Sequence, residues 1–505
     1  MDTTPTHGRV LLLGGVALLL GIIGTALFFD HGLGLNYPLF VLLASCGGFL
    51  LTRVFSRKVT GEQYLLVALA LFFAGMVYLR SSDLLTFFNM VGSFALLLLL
   101  TETFVGKKLK AFFPFDYVKS AFLPLQFIGP FFTTVIDILS LGRVKGDGGS
   151  RKRKEIIRGI IMAGVAVVVF GWLFTLADQV FAKILSDIFR FNIDDVVIAR
   201  YVFGTFITAF FLGAFGFLFR KVHASPAPSG YTPMRNLGAL ETMILFGAIN
   251  ALFLLFILLQ LAHLFGGTAH LLATGLTYAE YARSGFFELV VVAVLSFFII
   301  AFAERQIVQK DNAHLRSFRI LSGLLVIQVI CILVSAFTRL SLYEDAYGFT
   351  TIRLYSHALM VWIGVVLLLI AQHIWTNGKR EVFTFRTFSS VVLLLFVMNI
   401  VNPDAFIAKK NLERYAATGI VDANYLASLS DDALPYTIGL LGDSSEATRR
   451  KFAYSLYWKN YSRAEDIKND WRSLRFGRAH ATQLLGAHKA ELELGKEFWV
   501  EDTTL

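Results

Sequence analysis

The chain has 505 residues, of which 56% are hydrophobic and only 16% charged, and its mean hydropathy is +0.64. Soluble domains carry about a quarter charged residues, so this composition excludes a string of ordinary soluble domains and describes a membrane protein. A net charge of +10 raises nucleic acid as a partner until the charge is located along the chain, and two cysteines exclude a disulfide framework or a multi-cysteine metal site.

A helix crosses the hydrocarbon core with about 20 apolar residues at a rise of about 1.5 Å each. Taken in chain order, such runs fall at about 10–29, 35–51, 62–79, 84–105 and 156–177. Six more fall at about 198–219, 240–264, 286–307, 320–338, 357–375 and 385–401. The fold class read from them is all-α: a polytopic transmembrane helix bundle of about 11 spans with a small C-terminal helical soluble domain. The runs are continuous, not alternating, which speaks against a closed barrel. The first follows Arg9 and ends at Phe28-Phe29-Asp30 with no small-x-small cleavage pattern, so it reads as a retained span. Cys46 and Cys331 lie inside apolar runs and are expected to be small buried packing residues.

Four segments follow: a four-span segment 1–105, a basic connection 106–155, a seven-span core 156–401 and an extramembrane domain 402–505. The connection holds ten Lys and Arg, including Lys107-Lys108-x-Lys110 and Arg151-Lys152-Arg153-Lys154. Between these clusters the apolar stretch Ala111 to Leu141 is broken by Pro114, Pro124 and Pro130 and carries Asp116, Lys119 and Asp137. Breakers so spaced predict an interfacial or re-entrant segment, not a lipid-exposed crossing. Lys and Arg gather in every second connection, starting from the N-terminal segment, and such residues are retained in the cytoplasm. The N-terminus is therefore expected in the cytoplasm and, after eleven spans, the C-terminal domain outside it. The run Arg151 to Lys154 has no interleaved aromatic to stack on bases and reads as a topology anchor. The expected partners are the lipid bilayer and a protein met through the C-terminal domain, not nucleic acid.

From Asn402 onward 14 basic and 15 acidic residues appear, so the positive excess belongs to the span-bearing part. Helices are expected over Ala405 to Thr418, closed by Gly419, and over Val421 to Leu429. Ser430-Asp431-Asp432 then caps a helix with Pro435 early in it, and Asp443-x-x-Glu446 opens a longer one to about Tyr461 in the manner of a capping box.

The chain contains no H-E-x-x-H, G-x-S-x-G, P-loop or dinucleotide-binding glycine pattern, so no catalytic residue, metal or cofactor is predicted. His263 and His270 are separated by Gly266-Gly267 and read as interfacial. The informative polar residues form two clusters on connections assigned to the outer face. In the first, Glu280, Ser284 and Glu288 share a helical stripe beside Tyr278, Tyr281 and Arg283. In the second, Arg339, Tyr343 and Tyr347 align, Glu344 and Asp345 lie between them, Gly348 breaks the helix, and Arg353 and His357 align after it. The candidate polar cluster or anion-binding set is thus Tyr278, Glu280, Arg283, Glu288, Arg339, Tyr343, Glu344, Arg353 and His357. Charges at a membrane boundary form a buried ion network, an anion site, or a belt of tyrosines with snorkelling charges. Asn89, Asn250, Gln260, Gln328 and Asn399 lie deeper and are expected to hydrogen-bond between helices. The absence of a mid-span Asp or Glu counts against an ion-coupled transporter.

The string Tyr278-Ala279-Glu280-Tyr281-Ala282-Arg283 through Phe287-Glu288-Leu289, with Arg339-x-x-x-Tyr343-x-x-Ala346-Tyr347-Gly348 and Arg353-Leu354-Tyr355, resembles the bacterial polytopic membrane family called domain of unknown function 4173. Asn402-Pro403-Asp404-Ala405-Phe406, Asn411-Leu412-x-Arg414-Tyr415 and Asp422-x-x-Tyr425-Leu426 are also similar to it. The resemblance covers about 240–435 and implies a multi-pass protein of the bacterial inner membrane with no assigned function. The function expected is a non-enzymatic membrane scaffold or sensor whose outer polar clusters dock on the tail or a partner. The alternative is a transporter or flippase for an anionic small molecule or lipid-linked substrate held by Arg283, Arg339 and Arg353. A membrane-embedded transferase using Glu280 and Glu288 is a third reading, and it lacks a donor-binding motif.

Overall fold

The computed structural model describes residues 7–139, 195–220, 239–265, 286–306, 312–464 and 470–493, with isolated positions between 159 and 178. Among these, eighteen α-helices and no strands are found. The first group is α1 (His7–Phe28), α2 (Asn36–Val54), α3 (Gly61–Leu79) and α4 (Asp83–Phe104). Three shorter helices follow, α5 (Pro114–Ala121), α6 (Leu123–Gln126) and α7 (Ile128–Leu139). Next come α8 (Asp195–Arg220), α9 (Ala239–Phe265), α10 (Phe286–Gln306), α11 (Asn312–Tyr347), α12 (Thr351–Thr376) and α13 (Arg380–Val401). The C-terminal domain contains α14 (Pro403–Thr418), α15 (Ala423–Ser428), α16 (Leu434–Thr437), α17 (Glu446–Ala464) and α18 (Phe476–Ala487).

Ten of these helices, α1 to α4 and α8 to α13, are long and apolar enough to cross a membrane, so the chain is an all-α, multi-pass integral membrane protein. Apart from isolated positions, the run expected at 156–177 lies outside the described residues. Each of the other ten apolar runs has its helix, and the one expected at 320–338 extends to Asn312–Tyr347. At about 1.5 Å per residue that helix is roughly 54 Å long, well beyond a hydrocarbon core of about 30 Å.

Helices α9 to α12 share one core, built on residues such as Phe246, Ile300, Leu325, Val329 and Leu367. Helices α1, α2, α7 and α8 share another around Leu13, Leu51, Leu212 and Phe215. A third cluster joins α3 and α4 to Phe385, Phe388 and Val392 of α13. Lipid tails are as apolar as leucine, so close packing and interhelical hydrogen bonds must hold such helices together. Both are present. A Cβ on Gly21 would overlap Thr208 Oγ1 of α8, and one on Gly204 would crowd Thr25 Oγ1 of α1, so α1 and α8 cross closely where neither has a side chain. Asn89 of α4 and Asn399 of α13 exchange two side-chain hydrogen bonds of 2.8 and 2.6 Å while fully buried. Asn250 donates to Leu321 O (3.1 Å), and Gln328 donates to Asn250 O (3.1 Å), tying α9 to α11. Gln260 has no described side chain. Cys46 and Cys331, expected as buried packing residues, are exposed on helix faces, where an apolar thiol needs no protein partner.

The C-terminal domain packs α14 to α18 around Ile407, Leu426, Leu434, Phe452 and Leu456. Phe349 and Leu354, from the start of α12 and the turn before it, pack against the same cluster. Asn402 ends α13 in the left-handed region (φ +53°) and Pro403 starts α14, so the chain turns sharply into the domain. Asp443 does not cap α17 as its spacing with Glu446 suggested. Its carboxylate accepts from Tyr415 Oη (2.9 Å) and Ser445 N (2.8 Å), and Ser445 Oγ accepts from the first-turn amide Thr448 N (3.4 Å).

The ends of α1, α3, α11 and α13 all meet this domain, which defines one end of the bundle. The segment containing α5 to α7 bends by 63° and meets the opposite end. Leu109 N donates to Glu62 at the start of α3 (3.0 Å), and Tyr117 stacks on Phe388 early in α13 (4.6 Å). Phe127 and Pro130 lie against Gly213 and Gly216 late in α8, and Ile138 against Gly14 early in α1. The segment therefore does not run the length of the bundle.

Candidate functional site

The turn between α11 and α12 gathers five of the nine sequence-flagged residues, and its geometry follows from the spacing. Helical periodicity sets Tyr343 beside Tyr347, with ring centroids 4.9 Å apart and planes inclined by 49°. Gly348 then adopts φ +85°, which a side chain would strain, and reverses the chain. The reversal brings Arg353 back over Tyr343, its guanidinium carbon 4.1 Å from the ring centroid, while its Nη1 donates to Gly348 O. One turn further on, His357 Nδ1 lies 3.3 Å from Glu344 Oε2, and the His357 ring lies 4.2 Å from that of Phe337. Glu344 is 2% exposed and Arg339 8% exposed. The expected alignment of Arg353 with His357 holds, but each reaches a different partner on α11.

Glu288 sits exposed in the first turn of α10 and makes no hydrogen bond or ion pair with the other described candidates. Tyr278, Glu280 and Arg283 lie outside the described residues.

The C-terminal domain grips this turn by its main chain. Asn411 accepts from Phe349 N (2.7 Å) and donates to Phe349 O (2.8 Å). Arg414 donates to the carbonyls of Asp345 (3.0 Å) and Ala346 (2.5 Å), which a helix end leaves unsatisfied. Thr351 N donates to Tyr425 Oη (2.8 Å), a phenol whose pKa burial pushes up and which stays protonated.

Two further connections are held in the same manner. Ser81 N, between α3 and α4, donates to Asp432 Oδ2 (3.0 Å). Burial raises the Asp432 carboxyl above its ordinary range, against the opposing effects of the Ser81 amide and Arg80. Between α1 and α2, Leu35 N donates to Leu474 O (3.0 Å) and Leu33 O accepts from Arg475 Nε (3.0 Å). Arg472 Nη1 donates to Ala26 O near the end of α1 (2.6 Å).

Sequence reasoning missed a second ionic cluster at the opposite end. Glu304 of α10 accepts from Arg380 Nη2 of α13 and lies 3.4 Å from His373 Nε2 of α12, while Arg319 Nε donates to Ile374 O (3.1 Å). The only signal was a helix-end position for Glu304, since its partners are 69 and 76 residues away in sequence.

A family model described as a domain of unknown function (DUF4153) matches residues 66–440. No curated protein and no solved structure matches the chain. The match corrects the family number read from the strings at 278–289, 339–355 and 402–435, while retaining their implication of a family without assigned function. It also begins far earlier than those strings, in α3, and so takes in span-bearing sequence that carries no distinctive motif. It ends in the C-terminal domain after α16, so it includes the clamped turn and the residues that clamp it. With most of its length matched, this membrane protein belongs to the domain of unknown function family DUF4153.

Proposed function

We propose that the protein is a non-enzymatic scaffold or sensor of the inner membrane, in which the C-terminal domain reads the positions of the span ends. The observation that carries this reading is the mode of contact. Asn411, Arg414, Tyr425 and Asp432 bind main-chain atoms of connections, as do Arg475 and the Leu474 carbonyl. Main-chain contacts register where a helix ends, not which side chains it displays, so a shift of α1, α3 or α11 would be felt by the domain. Partner binding on the domain's outer surface is the natural output.

The basic connections at the opposite end, including Arg53, Arg57 and Lys58 after α2, support a cytoplasmic placement there. The C-terminal domain then lies outside. A reporter fused after Leu505 that is active only in the periplasm tests this; activity only in the cytoplasm would overturn it. The anion-transport alternative has less support, because Arg353 is already occupied by the Tyr343 ring and the Gly348 carbonyl.

A further inference from the structure

A cleft of about 890 Å³ opens between α1 and α8 at the end that faces the C-terminal domain. Its base is the close crossing at Gly21 and Gly204, where only small side chains fit. Its wall on α1 is Leu18, Ile22 and Ala26, with Leu18 and Ile22 each more than half exposed. The mouth is of a different character. Arg200 stands over Phe29, 5.2 Å from its ring, where the first span gives way to Asp30. Arg472 of the C-terminal domain closes the other side.

The two arginines are not equivalent. Arg472 makes a bidentate pair with Asp470, and those hydrogen bonds hold the Asp470 carboxyl down to about 2. Its charge is therefore answered within the protein. Arg200 stacks on Phe29 and, among the described residues, has no carboxylate within ion-pair distance. A guanidinium at a membrane boundary that meets no carboxylate among the described residues is suited to a phosphate. From Leu18 to Phe29 the apolar wall descends eleven residues, roughly 16 Å along the helix, which is the reach of an acyl chain and not of a headgroup.

We propose that this cleft binds a phospholipid, with its phosphodiester on Arg200 and an acyl chain along Leu18, Ile22 and Ala26. The site stands apart from the clamped turn and does not depend on the scaffold or sensor reading. Since Arg472 forms part of the mouth, the bound lipid touches both the spans and the C-terminal domain.

The test is thermal unfolding of the full-length protein in detergent, titrated separately with phosphatidylglycerol, with diacylglycerol of the same chains, and with inorganic phosphate. Phosphatidylglycerol is expected to raise the unfolding midpoint, and the other two are not. Arg200→Gln should raise the phosphatidylglycerol concentration for half-maximal shift by about tenfold or more. Lys58→Gln, exposed at the opposite end, should leave it unchanged. Ile22→Trp, which fills the wall and keeps the arginine, should weaken the shift and decides the matter if Arg200→Gln does not fold. An equal shift with diacylglycerol would overturn the phosphate contact, and an equal shift with inorganic phosphate would overturn the acyl contact. A wild-type response in both Arg200→Gln and Ile22→Trp would overturn the site itself.

Discussion

Asn411→Ala removes the one side chain that satisfies both main-chain groups of Phe349. Asn411 is 8% exposed and Gly348 is buried, so water has little access to replace it. A lost hydrogen bond costs about 0.5–1.5 kcal/mol net, and a main-chain group left buried and unsatisfied about 1–3 kcal/mol. Phe349 is only half-buried, which selects the lower part of that range, about 2 kcal/mol for the pair. That is roughly a thirtyfold loss in the equilibrium that seats the turn on the domain. Hydrogen exchange on the detergent-solubilised protein reads it directly: the amides of Phe349 and Thr351 should exchange faster by about that factor. Asn411→Asp keeps an acceptor for Phe349 N and loses the donor to Phe349 O, so it should fall between wild type and alanine. Exchange at Phe349 unchanged in Asn411→Ala would refute the clamp.

The other predictions concern charge. Burial raises the folded Asp432 carboxyl above its ordinary value near 3.8, so the native chain binds that proton more tightly than the unfolded chain does. Its contribution therefore favours the folded state below the ordinary value and is lost as pH rises through the raised one. In thermal unfolding from pH 4 to 7, Asp432→Asn should flatten the fall in stability and exceed wild type at pH 7; an unchanged pH profile would contradict this. At the opposite end, Glu304 is a quarter exposed, so Glu304→Gln should cost about 1–3 kcal/mol, less than for a fully buried pair. Combined with Arg380→Gln, it should cost less than the two single changes together, whereas strict additivity would show that the pair is not coupled.

The spans were legible because hydrocarbon imposes length and apolarity on every one of them, which a single sequence displays directly. The ends were less so. An apolar count closes α11 before Arg339, yet the helix continues to Tyr347 because Arg339, Tyr343 and Tyr347 hold one helical stripe and Gly348 supplies the break. The bend in the proline-broken segment was visible for the converse reason, since Pro114, Pro124 and Pro130 cannot continue one helix.

Pairings were not legible. Asn411 follows the buried Ile407 by four residues, so its helix face is readable, but its partner Phe349 is 62 residues earlier. Asn89 and Asn399 are 310 residues apart. No periodicity reports such contacts. The strings at 339–355 and 402–435 interlock: Asn411, Arg414 and Tyr425 of the second hold Asp345 to Thr351 of the first. The cleft between α1 and α8 was hidden because its Arg200 reads as one more charge near a span end.

The seating of the C-terminal domain on the span ends is open to one direct measurement. A Cβ built on Gly32, between α1 and α2, lies 3.6 Å from Ser473 Cβ and, its own chain neighbours aside, within 4 Å of no other described atom. Cβ atoms about 3.5–4.5 Å apart can be joined by a disulfide. In a chain with Cys46 and Cys331 replaced by alanine, Gly32→Cys with Ser473→Cys should therefore form a crosslink in native membranes under mild oxidation. After protease cleavage between the two positions, the fragments should stay together until reductant is added. Fragments that separate without reductant, while both cysteines remain reactive to a thiol reagent, would contradict the docked arrangement.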